Sequence, residues 1–182
     1  VVDYSTGRTL LAKNADAPMH PASMTKMMTA FMVFDRLRSG TLSLETKFRV
    51  SKRAWKKGGS RMFLKPNDAV SVEDLIRGII VQSGNDASIV IAEGISGSEE
   101  DFAREMTEKA HEIGMKDSTF KNASGWPDEE HLTTARDLAT LINTTIREFP
   151  DFYHYYAEEQ FKYANINQRN RNPLLGLGIG AD

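Results

Sequence analysis

Between Ser23 and Leu37, apolar side chains recur at Met24, Met27, Met28, Phe31, Met32 and Phe34. This is helical spacing, and the apolar face is wide, so other elements have to close around the helix. Gly40 is a natural stop. The material for a core is present: 40% of the 182 residues are hydrophobic, which suits one domain.

The rest of the chain divides into strand signals at the ends and helix signals between them. Val1 to Asp3 and Thr9 to Lys13 are short β-prone runs joined by Ser5-Thr6-Gly7, a hairpin signal. Ser71 with Asp74 resembles a capping box and predicts a helix through Ile80. A second apolar helix is predicted over Asn85 to Ile95, after a break at Ser83-Gly84. Ser98-Glu99-Glu100-Asp101 begins an amphipathic helix that ends near Gly114. Thr133 to Phe149 reads as a helix stopped by Pro150, and Glu159 to Ala164 as a strand. This order argues for an α/β or α+β two-lobed domain, with the ends pairing in one antiparallel sheet and a helical lobe inserted over about residues 22–148.

Composition narrows the chemistry. Net charge is −2, so nothing draws the whole molecule to nucleic acid or to an anionic membrane. The basic stretch Lys52 to Arg61 reads as a solvated loop. With no cysteine, thiol catalysis and disulfides are excluded, and His20, His111, His131 and His154 show no metal-ligand spacing. No metal or cofactor is expected. No run approaches 18 apolar residues, so no transmembrane helix is expected. The chain opens on a strand already under way, compatible with a leader removed upstream.

Two sites remain for chemistry. Ser23 and Lys26 stand at i and i+3, where side chains lie about 5–6 Å apart at Cβ on a helix. A serine hydroxyl needs a base to become a nucleophile, and a neutral lysine can be that base if its pKa falls by roughly three units. Ser23 also lies in a first turn behind Pro21, where the helix dipole favours a developing oxyanion. The plainer reading is a cap beside a solvated lysine, and S-x-x-K alone is weak: Ser118 and Lys121 repeat it in a turn with no apolar helix behind it. The second site is Ser83-Gly84-Asn85, the sole S-x-N in the chain, about sixty residues after Ser23. A Gly-containing kink between two apolar helices can aim Ser83 Oγ and the Asn85 amide into a cleft. Its plainer reading is a helix–helix turn with Asn85 as the cap.

Together these motifs resemble those of the penicillin-binding proteins and class A β-lactamases. The stretches "VVDYSTGRTLLAKNADAPMHPASMTKMMTA", "MFLKPNDAVSVEDLIRGIIVQSGNDAS" and "NASGWPDEEHLTTARDLA" look like the D-alanyl-D-alanine carboxypeptidases, the low-molecular-mass penicillin-binding proteins. The likeness runs over essentially the whole chain. It implies a β-lactamase/transpeptidase-like fold and an acyl-enzyme mechanism on peptidoglycan stem peptides ending in D-Ala-D-Ala. It implies Ser23 as nucleophile, Lys26 as base, Ser83 as proton relay and Asn85 as a ligand of the substrate backbone. Covalent inhibition by β-lactams, a periplasmic or other extracytoplasmic location and no cofactor follow from the same resemblance.

The third motif of the family, Lys-Thr-Gly, is absent from this sequence; Ser5-Thr6-Gly7 lacks the lysine. In the family that strand follows soon after a stretch like "NRNPLLGLGIGAD", so residues 1–182 are expected to be a partial penicillin-binding domain ending before it. Any peripheral membrane association would then depend on a C-terminal tail outside this sequence. Three other readings carry weight: a D,D-endopeptidase of the same family, a class A β-lactamase, and a non-catalytic β-lactam sensor. A β-lactamase needs a loop glutamate followed three residues on by asparagine; after Glu129 and Glu130 the residues His131 to Thr133 supply none.

Overall fold

The computed structural model describes residues 1–177. The predicted central helix is present as α1 (Thr25–Arg38), entered through a 3-10 turn over Ala22–Met24. Met28, Phe31, Met32, Val33 and Phe34 are all buried, so the apolar face is covered nearly all round. The covering elements are α3 (Val72–Ile80), α4 (Asn85–Ser96), α5 (Glu99–Glu112) and α6 (Ala135–Glu148). A short α2 (Lys52–Lys56) lies against α4.

Local chemistry sets where the helices begin. Ser71 Oγ accepts the Asp74 N–H at 3.1 Å and donates to its carboxylate at 2.8 Å, so Ser71 caps the helix as predicted, with the carboxylate bound to the hydroxyl rather than to the Ser71 N–H of a full capping box. Ser98 does the same with Asp101 at 3.0 and 2.7 Å. Thr134 Oγ1 accepts the Asp137 N–H at 3.1 Å and starts α6. Thr133 lies before that cap, in an isolated bridge to Met19. At the other end, Pro150 does more than stop α6. It takes the first position of a new helical turn, α7 (Pro150–Tyr153), where its missing N–H costs nothing. That turn brings Phe149, Phe152 and Tyr155 under α1. Phe31 meets Phe149 edge-on at 5.0 Å, and Phe34 stacks on Phe152 at 5.3 Å.

The β structure is less extensive than the pattern of the ends predicts. Val2 and Thr9 form an isolated antiparallel bridge rather than a full hairpin of strands. Val1, Leu10 and Leu11 around it are largely exposed, so no burial extends the pairing. The predicted strand near Glu159 is β3 (Gln160–Tyr163), and it pairs with β4 (Ile166–Arg169) through a tight turn. Ala164 and Asn165 both have positive φ in that turn, the conformation whose twist suits a two-residue hairpin. A further small sheet joins β1 (Lys47–Arg49) to β2 (Ala69–Ser71) beside α4. Among the described residues these are separate two-stranded sheets, and the first and last segments do not pair. Helices with small antiparallel sheets still give the expected α/β, two-lobed architecture.

The β3–β4 hairpin is docked on the helices by polar contacts. Gln82 donates to the Phe161 carbonyl at 3.2 Å, Gln168 to the Arg61 carbonyl at 3.0 Å, and Arg77 grips Glu158 at 3.0 Å. The predicted Gly-rich tail lies outside the described residues from position 178 onward.

Two substitutions separate core from surface. Phe31→Ala should lower unfolding free energy by about 3–5 kcal/mol in a urea titration. Arg104→Ala removes only an exposed pair with Asp101 and should leave the urea midpoint essentially unchanged. Similar losses for the two would contradict this placement of the core.

Candidate active site

The 3-10 entry turn decides how Ser23 meets Lys26. Ser23 sits in that turn and Lys26 in the first turn of α1, three residues on, so the two side chains fall on one face. Lys26 Nζ lies 3.5 Å from Ser23 Oγ. Ser23 is exposed at the surface of a cleft, while Lys26 is only 4% exposed and donates to the Ser124 carbonyl at 2.7 Å. Burial depresses the Lys26 pKa from the usual lysine range to about 8, against the opposing pull of the Asp86 carboxylate.

The segment that receives Lys26 begins the third of the stretches that carry the family resemblance, but the sequence patterns assign it no role. Asn122 Oδ1 accepts the backbone N–H groups of Ser124 at 3.2 Å, Gly125 at 2.8 Å and Trp126 at 2.9 Å. Its Nδ2 donates to the Trp126 carbonyl at 2.9 Å. One side chain thereby folds residues 122–126 into a tight loop with the Ser124 carbonyl turned towards Lys26. Gly125 has φ +79°, and a Cβ there would collide with the Ala22 carbonyl oxygen. The loop therefore presses directly on the turn that carries Ser23.

Further contacts hold this seam. Thr29 donates to the Ala123 carbonyl at 2.7 Å, one helical turn after Lys26. Buried Glu99 accepts the Ala123 N–H at 3.2 Å and pairs with Arg53 at 2.8 Å, joining α5, α2 and the loop. His131 accepts the Lys121 N–H on Nδ1 at 3.2 Å, so its Nε2–H donates to Thr25 Oγ1 at 2.9 Å. That arrangement requires a neutral ring, and burial lowers the His131 pKa to about 4.

Ser83 reaches the same place from the other side. It follows α3 in a left-handed conformation, φ +55°, which is costly for a residue with a Cβ. The kink leaves Ser83 lining a cavity of about 380 Å³ with Ser23, Lys26, Tyr156, Arg171 and Asn172. Asn85 does not line that cavity and does not cap α4, whose N-cap is Gly84. Asn85 is 8% exposed, and its Nδ2 donates to the Gly58 carbonyl at 2.9 Å while its N–H bonds the Ser60 carbonyl. Beside it, buried Asp86 accepts the N–H groups of Met62 at 3.0 Å and Leu64 at 3.2 Å, fixing the preceding loop to α4.

The structure thus brings Ser23, Lys26 and Ser83 to one cavity and sets Asn85 next to it. The second S-x-x-K match is structural: Ser118 is buried and bonded to Asp137 and Thr133, each at 2.7 Å, and Lys121 pairs with Glu130 outside. A buried amine whose proton affinity is lowered, beside an exposed hydroxyl and with a second hydroxyl across the cavity, is an arrangement able to deprotonate a nucleophile and return the proton to a leaving group. Among the described residues no cluster of His, Asp or Glu could hold a metal ion, and no helix is long and apolar enough to cross a membrane.

Known proteins share this architecture. The chain is 40% identical over 181 residues to the D-alanyl-D-alanine carboxypeptidase DacC of Escherichia coli (strain K12), covering 96% of this chain and 45% of that protein. It is 38% identical to DacF of Bacillus subtilis (strain 168), a protein of the same description, covering 100% of this chain and 48% of that one. The chain thus spans about half the length of these curated relatives. Its fold superimposes on penicillin binding protein 5 from Haemophilus influenzae with a TM-score of 0.92 and 39% identity, covering 96% of this chain and 52% of that one. Penicillin-Binding Protein D2 from Listeria monocytogenes, solved in an ampicillin-bound form, aligns with a TM-score of 0.85 and 27% identity over 96% of this chain and 72% of its own. Residues 1–179 match the peptidase S11 family, D-alanyl-D-alanine carboxypeptidase, and the chain belongs to that family.

Proposed function

We propose that the protein is a serine D,D-carboxypeptidase acting on peptides that end in D-Ala-D-Ala, as in peptidoglycan stems, in an extracytoplasmic compartment. The observation that carries this reading is the buried Lys26 amine set between Ser23 Oγ and the Ser124 carbonyl. Ser23 Oγ attacks the carbonyl of the penultimate D-Ala while neutral Lys26 takes its proton. As the peptide C–N bond breaks, Ser83 delivers a proton to the departing nitrogen, replenished through Lys26. Asn85, whose Nδ2 is held by the Gly58 carbonyl, turns its Oδ1 to an N–H of the substrate backbone beside the cavity, and the Ser23 backbone N–H is one donor to the oxyanion. Water then attacks the ester, leaving the shortened peptide and free Ser23. The β-lactam ring opens on the same serine and forms the corresponding ester.

The carboxypeptidase reading is favoured over the endopeptidase by degree of likeness. Several carboxypeptidases are 36–40% identical to the chain, against 28% for a D-alanyl-D-alanine endopeptidase of Pseudomonas aeruginosa. A β-lactamase reading is disfavoured, because Glu130 is engaged with Lys121 on the exterior and neither Glu129 nor Glu130 is followed three residues on by asparagine. Retention of Ser23, Lys26 and Ser83 around one cavity speaks against a dead sensor.

Labelling with a fluorescent penicillin and peptide mapping by mass spectrometry should place the adduct on Ser23. Ser23→Ala should abolish labelling and Ser118→Ala should not; an adduct on Ser118 would overturn the assignment.

The acylation rate should depend on pH through Lys26. The base must be neutral, and the neutral fraction grows as pH rises towards about 8. Acylation should therefore climb about tenfold per pH unit below that value and level off above it. Lys26→Arg keeps the charge but cannot release a proton near neutrality, and should slow acylation by at least about a hundredfold. A flat profile between pH 6 and 9, or near-normal acylation of that variant, would show that Lys26 is not the base.

A further inference from the structure

The basic stretch Lys52–Arg61 is not simply a solvated loop. Its first half is α2, and Arg53 is neutralised there by Glu99 and Glu100. Lys57 is different. It is half-buried, and it forms no ion pair among the described residues. Its ammonium instead lies over the Trp126 ring, 4.2 Å from the centroid. A ring face holds a cation by about 0.5–1 kcal/mol at exposed sites and more when desolvated, which orients the charge without neutralising it. Burial lowers the Lys57 pKa, and the pull of Glu99 is opposed by Arg53. The carboxylate that acts on Lys57 is thus already spent on another cation.

This unmatched charge stands next to the proposed site. Gly58 gives its carbonyl to Asn85 Nδ2, and Trp126 lies against Gly58 and Gly59. A Cβ on Gly59 would come within 2.7 Å of Asn85 Nδ2 and 3.6 Å of the indole; one on Gly58 would touch the indole at 3.8 Å. The two glycines let Asn85, the loop backbone and Trp126 pack in layers, with Lys57 on the outer one. Trp126 belongs to the Asn122 loop and is 43% exposed. It also lines a mostly apolar cavity of about 440 Å³ with Pro21, Ala22, Asp128 and Glu129, beside the turn that carries Ser23; neither of those two carboxylates forms an ion pair with Lys57 among the described residues.

We propose that Lys57, oriented by Trp126, binds a carboxylate on the acyl side of the substrate, one or more residues before the cleaved bond. This deepens the carboxypeptidase reading and rests on it, because Asn85 marks the side on which the acyl backbone would run. A carboxylate arriving there meets a cation already positioned and partly stripped of water. The pair then forms with less ordering than two flexible surface charges would need. A neutral or cationic side chain gains nothing at that position. Lys57 is thus a specificity residue, selecting acidic peptides over their amides.

The test compares two acetylated peptides in which glutamate or glutamine precedes D-Ala-D-Ala, using the full-length protein. The wild type should favour the acid over the amide by about five- to tenfold in kcat/KM, between an exposed ion pair and a fully buried charge-assisted bond. In Lys57→Gln that ratio should fall towards one, and Lys57→Arg should restore much of it. A purely structural role for Lys57 would lower both activities and leave the ratio in place, which overturns the proposal. So does a wild-type ratio near one. If penicillin labels Ser23 but neither peptide is hydrolysed, the carboxypeptidase reading falls on its own. The ratio is then read from acylation by penicillins with and without a side-chain carboxylate, where the same preference and its loss in Lys57→Gln are required. A protein that is not acylated at all overturns both.

Discussion

The structure turns on one buried cation. Lys26 projects from the largely buried α1 into its contact with residues 122–126, where the Ser124 carbonyl receives it at 2.7 Å. Taking an ammonium out of water is expensive, and a single carbonyl dipole offsets only part of that cost. The deficit appears as a pKa near 8. At pH 7 roughly one molecule in ten then carries a neutral amine, whereas a lysine in water would be neutral in fewer than one in a thousand. The same burial that weakens the domain locally makes the amine useful as a base.

That cost has to be met by the surroundings, and the packing around the seam shows how. Asn122 organises the loop, Glu99 ties it to α5 and α2, and Thr29 and Thr25 anchor α1 to the segments on either side. Strain collects at the same place. Ala22, φ +47°, immediately precedes Ser23, and Ser83 is at +55°. Each such conformation costs about 1–3 kcal/mol and persists only where neighbouring contacts dictate it. Both residues present a serine to the cavity, so strain and reactive groups coincide.

Much of this was legible in the sequence because it rests on local rules. The apolar period from Met24 to Phe34, the caps at Ser71 and Ser98 and the break at Ser83-Gly84 act over a few residues, and the elements form where those signals lie. Ser23 and Lys26 were found for the same reason. What escaped depends on contacts across the chain. Asn122 works by bonding its own loop, but its purpose is visible only once Ser124 faces Lys26, 98 residues away in sequence. Pro150 read as a terminator because its role as a first helical residue depends on Phe149 and Phe152 packing under Phe34. The pairing expected between the two ends is missing among the described residues, since alternation alone does not name a partner strand. Asn85 was placed facing the cleft, whereas its amide is held by Gly58 in a stretch that looked like a solvated loop. Apart from the missing pairing, each of these gaps depends on a contact between segments distant in sequence, which leaves no periodic trace.

The central claim is that burial, rather than a neighbouring charge, sets the proton affinity of Lys26. It is tested most directly by titrating that amine itself, with lysine labelled at Cε with carbon-13 and the Lys26 resonance identified by loss in Lys26→Arg. The account predicts a midpoint near pH 8, well separated from the exposed lysines. A midpoint at 10 or above would mean that the amine stays charged throughout the neutral range, and the assignment of Lys26 as the base for Ser23 would fail.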